Sequence, residues 1–210
     1  MTVRSARQYN SPEREKQANA TRRHVLVAAE ELFAKSGFAA VTMPAIARQA
    51  RVSPATVYLY FPGKAALVAA LAEDLAASPD LSVEQLEREQ DPIQLLRTAA
   101  HIMRLLNERS WVVADILRNA QGTDKGLSQT WRRWKERHLE AIRRAVTALE
   151  SRDALRTTIT PDEAVDIGYT LAGTDIYRAF VRERGWSPDQ YEQWLFGSAC
   201  RELLNQTKRA

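Results

Sequence analysis

Residues Thr42 to Lys64, TMPAIARQARVSPATVYLYFPGK, decide the fold. They read as two short helices joined by a tight turn. Thr42 is placed to cap the first helix and Ser53 the second, each offering a hydroxyl to the unpartnered N–H groups of the opening turn. Pro54 then suits the first helical position, where an N–H would have no partner. Ile46, Ala47 and Ala50 give the first helix an apolar side, and Val57 and Phe61 do the same for the second. Ala55, Thr56, Tyr58, Leu59 and Tyr60 are left facing outward or sideways. Helices this short are unstable alone, so flanking segments must hold them. A helix over 22–36, with Val25, Leu26, Ala29, Leu32 and Phe33 on one face and Gly37 as its stop, supplies one wall. The helix opening near Lys64 supplies the other. A unit of this kind can lay its second helix into the major groove of duplex DNA. There Thr56 can hydrogen-bond a base or a phosphate and Ala55 can touch a thymine methyl. The phenols of Tyr58 and Tyr60 and the ammonium of Lys64 can reach the backbone, which fixes register without encoding sequence.

The wider run from Ala20 to Leu71, containing AAEELFAKSGFAAVTMPAIARQARVSPATVYLYFPGKAALV, resembles the DNA-binding domain of the TetR family of bacterial transcriptional regulators. The features that carry the resemblance are the A-A-x-x-L-F of the first helix, Gly37-Phe38, Thr42, Ile46-Ala47 and Val52-Ser53. Above all it rests on Val57-Tyr58-x-Tyr60-Phe61 followed by Lys64. The resemblance covers about a quarter of the chain. It implies an all-α fold of about nine helices: an N-terminal three-helix helix-turn-helix domain and a larger C-terminal helical domain for ligand binding and dimerisation. It also implies that Thr42, Tyr58, Tyr60 and Lys64 hold phosphates, and that Pro54, Ala55 and Thr56 form the base-facing start of the recognition helix. Arg51 departs from the family, standing where a turn glycine is usual. A left-handed backbone there costs about 1 kcal/mol, which a phosphate contact by Arg51 can offset. Pro54 and Ala55 bring no donors to base edges, so sequence reading leans on Thr56, the N-terminal arm and DNA shape.

Charge agrees with that placement. The net charge is +4 over 210 residues. Residues 1–64 carry ten Lys/Arg and four Asp/Glu, a net +6, and residues 65–210 carry twenty and twenty-two, a net −2. The positive excess thus lies with the motif and the segment before it, as a polyanion-binding surface requires. Arg4, Arg7, Arg14, Arg22 and Arg23 precede or open the first helix. Arginines on a mobile arm can enter a narrow minor groove; a solvated tail without ordered contacts is the equal alternative.

Elsewhere, helix periodicity and helix starts recur, and no segment alternates like a strand. Asp91-Pro92, Thr160-Pro161 and Ser187-Pro188 repeat the cap-then-proline signature, and Thr160/Glu163 and Ser187/Gln190 complete capping boxes. The expected helices span 22–36, 43–50, 54–61, 63–77, 92–108, 110–120, 126–151, 161–184 and 188–207. The polar stretch 78–91 reads as a boundary. The expected organisation is therefore a flexible basic arm (1–18), the DNA-binding domain (19–79) and the ligand-binding and dimerisation domain (80–210).

In the C-terminal part, helices near 161–184 and 188–207 carry apolar residues at helical spacing. Gly168 and Ala172 would allow close helix approach. The resemblance implies that these two helices pair with their copies in a homodimer, whose two-fold symmetry supplies a second DNA half-site; an internal hairpin core is the alternative. It also implies a small-molecule pocket among the preceding helices. Candidate ligand contacts are His101, Arg104, Trp111, Asp115, Trp131, Trp134 and Asp175. Trp131, Trp134 and His138, at i, i+3 and i+7, equally describe a buried stripe, and Asp115 and Asp175 could simply pair with Arg104 or Arg118.

With 45% apolar residues, 8 Gly and 8 Pro, the chain can bury a core. One Cys and three His offer no metal-ligand spacing. Neither a Ser-His-Asp set nor a Gly-rich phosphate loop occurs, so no catalytic residue, metal or cofactor is expected. No apolar run is long enough to span a membrane, and no signal-peptide centre is seen, so a cytoplasmic location is expected. The expected function is a ligand-responsive homodimeric repressor that binds a palindromic double-stranded DNA operator and is released by a small-molecule effector. The alternatives are an activator of the same fold, or a helical small-molecule-binding protein or enzyme that does not bind DNA.

Overall fold

A computed structural model describes residues 12–120, 122 and 124–205. Arg4 and Arg7 lie outside them. Among the described residues every extended element is helical, apart from an isolated antiparallel bridge between Leu155 and Leu204. The chain forms two compact units, the first ending at Ala70 and the second beginning at Leu71.

The first unit contains α1 (Pro12–Ser36), α2 (Met43–Gln49), α3 (Pro54–Tyr60) and the opening of α4 (Lys64–Ala76). Its core is Val25, Leu26, Ala28, Ala29 and Phe33 from α1, Ile46 and Ala47 from α2, and Val57 and Phe61 at and just beyond α3, joined by Val41, Met43, Leu67 and Val68. Leu32 is only half-buried. The first helix starts ten residues before the expected 22, so residues 12–18, read as arm, are helical. That extension has no apolar face, and its helicity comes from Pro12 at the start, acids Glu13 and Glu15 in the positive first turn, and helix-forming residues after them.

The second unit is built on α6 (Pro92–Asn119) and α7 (Lys125–Glu150), against which α8 (Pro161–Leu171) and α10 (Pro188–Leu203) pack. Three corrections to the sequence reading arise here. Residues 92–108 and 110–120 form one continuous helix. Glu108 and Arg109 at the apparent gap are exposed, but Asn107 and Ser110 on either side are polar and 0% exposed, and the helix runs through them all. The 78–91 stretch, outside every expected helix, holds a 3₁₀ turn (Pro79–Leu81) and α5 (Glu84–Arg88), anchored by buried Leu86. Finally, 161–184 is broken. Helix α8 ends at Leu171, α9 (Thr174–Tyr177) restarts beyond Gly173, and the backbone widens into a π-helical segment over Arg178–Glu183.

Asn107 explains that break. Its Nδ2 donates to the carbonyl of Ala172 at 3.0 Å, and its Oδ1 accepts from the Thr174 hydroxyl at 3.1 Å. One buried amide therefore satisfies groups on both sides of the interruption, as a helix end inside a core requires. The π segment closes with the N–H of Arg184 on the carbonyl of Ala179 and that of Trp186 on the carbonyl of Phe180. The left-handed Gly185 (φ +75°) turns the chain so that Trp186 stacks on Phe180, centroids 4.4 Å apart.

Helix starts follow local chemistry. Ser53, Asp91, Thr160 and Ser187 each accept a backbone N–H at their caps, and both capping boxes are formed. Asp124, which the sequence reading passed over, caps α7 in the same way.

Candidate nucleic-acid interface and ligand cleft

The turn between α2 and α3 is a Schellman closure with arginine at its left-handed position. The N–H of Arg51 reaches the carbonyl of Arg48 at 3.2 Å, and that of Val52 reaches Ala47 at 3.0 Å. Arg51 itself has φ +57°. The condition attached to this residue in the sequence is therefore met, and the side chain is fully outside the core. Thr42 caps α2 through the N–H of Ala45 at 3.3 Å.

At the start of α3, Ser53 Oγ accepts from the N–H of Thr56 at 3.0 Å and lies 2.8 Å from the Thr56 hydroxyl. With Ser53 donating in the second bond, Thr56 keeps its own proton for an outside acceptor. Val57 is 0% and Phe61 3% exposed, so α3 is fastened by one edge. Pro54, Ala55, Tyr58 and Leu59 are exposed, and Thr56 and Tyr60 are half-buried. Lys64 is differently engaged than its sequence position suggests: its Nζ donates to the carbonyls of Phe38 at 2.6 Å and Ala39 at 3.3 Å, and sits over the Phe38 ring. Arg22 lies with its guanidinium 5.6 Å from the Phe61 ring centroid.

The charge of this surface is mainly positive, apart from the Glu31 carboxylate of α1, which accepts from Gln49 Nε2 of α2 at 2.9 Å. From residue 32 to residue 72 there is no Asp or Glu, whereas Lys35, Arg48, Arg51 and Lys64 all fall in that stretch. A polyanion approaching α2 and α3 meets no carboxylate from their own residues.

The second unit contains a cleft of ≈ 1090 Å³, with Leu75, Leu81, Val83, Leu106 and Trp134 among its apolar walls and Arg88, Arg137, Glu140 and Arg144 among its charged ones. Of the seven residues singled out for ligand contact, only Trp134 lines it. Trp131, Trp134 and Asp175 instead meet in a smaller cavity of ≈ 120 Å³ with Tyr169 and His138. His138 and Trp134 line both spaces. The His138 ring packs edge-on against Tyr169, centroids 5.2 Å apart, and its Nε2 is buried without a partner. Burial lowers its pKa to about 4, so the ring is neutral.

The other candidates are dispersed. His101 and Arg104 both bind Glu192, at 3.1 and 2.9 Å, with Arg104 also on Glu108. Trp111 lies beneath the Arg182 guanidinium. Asp115 and Asp175 both pair with Arg118, the simpler of the two roles open to them. What sequence reading missed was the cleft wall supplied by 75–88. Its signal was the apolar spacing of Leu81, Val83 and Leu86 inside an otherwise polar run.

A three-helix unit with an exposed, acid-free second helix after a tight turn defines a helix-turn-helix DNA-binding protein. Residues 25–71 match the family model described as bacterial regulatory proteins, tetR family. That match spans the helix-turn-helix and covers about a fifth of the chain, so what it identifies is the type of that N-terminal unit. Over most of its length it is similar to the uncharacterized HTH-type transcriptional regulator YdeS of Bacillus subtilis, 27% identical over 176 residues, covering 78% of this chain and 85% of the relative. The HTH-type transcriptional regulator UidR of Escherichia coli is 40% identical over 55 residues, covering 26% of this chain and 28% of that one. Among solved structures, the SmeT–triclosan complex superposes with a TM-score of 0.74 at 20% identity, over 90% of this chain and 94% of that one. NalD, the secondary repressor of the MexAB-OprM multidrug efflux pump in Pseudomonas aeruginosa, gives 0.69 at 24% identity, over 91% and 99%. At these identities the structural likeness is one of fold.

Proposed function

We propose that the chain is a homodimeric repressor that binds a palindromic operator and lets go of it when a small molecule occupies the second unit. The observation that carries the DNA-reading half is the exposed face of α3 in a carboxylate-free stretch. In this reading Thr42, Arg51, Tyr58, Tyr60 and Lys64 hold phosphates, and Pro54, Ala55 and Thr56 meet base edges. Residues 19–79 form the DNA-binding domain and 80–210 the ligand-binding and dimerisation domain. The NalD relative is a repressor and SmeT is known with triclosan bound, which supports repression and small-molecule release here.

The ≈ 1090 Å³ cleft is large enough for a drug-sized effector. Support for a dimer comes from α9, the π segment and α10, where Ile176, Phe180, Val181, Trp194 and Phe196 remain only partly buried. Paired heads would fit successive major grooves about 34–36 Å apart or a multiple of that. An effector would shift the balance only by its differential affinity for the two head spacings.

Selection of bound fragments from random duplex DNA by the purified protein, with sedimentation in parallel, tests the reading. The expected outcome is a two-fold symmetric consensus bound by a dimer. A monomer that retains no duplex at low salt would overturn it.

A further inference from the structure

Leu59 is the most exposed large apolar side chain among the described residues, at 80%, with Tyr58 next at 51%. It lies in the last turn of α3, one residue before the helix ends at Tyr60. At about 100° per residue, Leu59 points away from the Val57/Phe61 edge that is buried at 0% and 3%. Ala55, one turn earlier and also exposed, shares its face. The outermost ridge of the helix is therefore two aliphatic side chains, with no donor or acceptor between them.

Isolated apolar exposure is unremarkable on most surfaces. Here it falls in a stretch of 41 residues, 32–72, that contains four cations and no carboxylate. A surface of that sign fits a polyanion, and on duplex DNA the apolar group presented in the major groove is the C5 methyl of thymine. Pro54 offers no side-chain hydrogen bond at all, and one of the Thr56 oxygen contacts is already made within the protein, to Ser53 at 2.8 Å.

We infer that Leu59, together with Ala55, is a specificity-determining contact that reads thymine by its methyl group. This rests on the DNA-binding reading above and deepens it: each half-site carries thymine opposite the Ala55–Leu59 ridge, and recognition there is by apolar burial rather than hydrogen bonding.

The test uses a fluorescein-labelled duplex taken from the selected consensus and a set of duplexes with deoxyuridine replacing thymine at one symmetric position at a time. Deoxyuridine pairs as thymine does and lacks only the methyl. Burial of one methyl corresponds to about fourfold in affinity per half-site. The expected result is at least one symmetric position where deoxyuridine weakens the wild-type protein by about that factor in each half-site, about sixteenfold for the dimer, and where Leu59→Ala binds both duplexes alike. Because Leu59 is so exposed, Leu59→Ala should unfold at the wild-type temperature, separating contact loss from misfolding.

Equal wild-type affinity for every deoxyuridine duplex would overturn the inference, leaving operator binding intact. So would a Leu59→Ala protein with unchanged methyl sensitivity, or with unchanged affinity for the parent duplex, the result expected if Leu59 docks another protein. Failure to select any duplex would remove the DNA-binding reading itself.

Discussion

Lys64 Nζ lies 2.6 Å from the carbonyl oxygen of Phe38 and 4.6 Å from the centroid of its ring, tying together residues 26 apart in the chain. With the Ala39 carbonyl at 3.3 Å, two of the three ammonium donors are directed into the α1–α2 connection. The side chain that opens α4 thus holds the loop leading into the helix-turn-helix, and has one donor left for a phosphate.

Lys64→Ala should therefore act twice. Loss of the charged hydrogen bonds, discounted for their partial exposure, should lower unfolding stability by about 1 kcal/mol. Affinity should fall on all DNA sequences, and the slope of log K against log salt should become shallower by about one unit. Tyr58→Phe is the contrasting case: a neutral phenol displaces no counterion, so affinity should drop while the slope stays as it was. A Lys64→Ala protein with wild-type slope would take that ammonium off the backbone track and leave it a purely structural residue.

Arg51→Gly should separate stability from binding in the opposite sense. At φ +57° a non-glycine residue is strained by about 1 kcal/mol, part of which glycine returns through its freer unfolded chain. Thermal unfolding should shift upward or stay level, while operator affinity falls because a cation has left the turn. If Arg51→Gly binds DNA as tightly as wild type, the arginine is there for some reason other than phosphate.

Local chemistry was legible in the sequence and distant chemistry was not. Ser53, Asp91, Thr160 and Ser187 announce helix starts because a cap and the backbone N–H that donates to it lie within three residues. Val57 and Phe61 are recognisable because one short helix must bury one edge. Asn107 and Ser110 misled because a polar residue at a core position looks like a helix break. What keeps Asn107 there, the Ala172 carbonyl and Thr174, is more than sixty residues away. The Phe38 partner of Lys64 is invisible for the same reason. The ligand candidates were chosen as large or charged residues on apolar faces, a criterion that finds ion pairs such as Asp115–Arg118 as readily as cleft walls.

Gly168 is a packing glycine within the subunit. A Cβ built on it would meet Cγ2 of Ile142 on α7 at 2.9 Å. Alanine normally favours a helix over glycine by about 1 kcal/mol, but overpacking of this kind costs about 1–3 kcal/mol. Gly168→Ala should thus lower the stability of the second unit, and Ile142→Val in the same chain should recover part of the loss. A stabilised single variant would show that α7 and α8 have room to move apart.

His138 sets a pH dependence with a definite sign. Burial lowers its pKa from 6.5 to about 4, so between those values the unfolded chain takes up a proton that the folded one refuses. Stability is unaffected above about pH 6.5 and falls as pH drops from there toward 4, by up to about 3 kcal/mol at 1.36 kcal/mol per unit. Carboxylates held low by partners, such as Asp80 beside Arg109 and Glu163 at the Thr160 cap, lose their contribution only at the acid end of that range and below. His138→Phe keeps a ring against Tyr169 but cannot titrate. Denaturant unfolding at pH 7 and pH 5 should therefore show a large drop for wild type and a much smaller one for the variant. Equal drops would mean that the imidazole finds a partner in solution that keeps its affinity for protons ordinary.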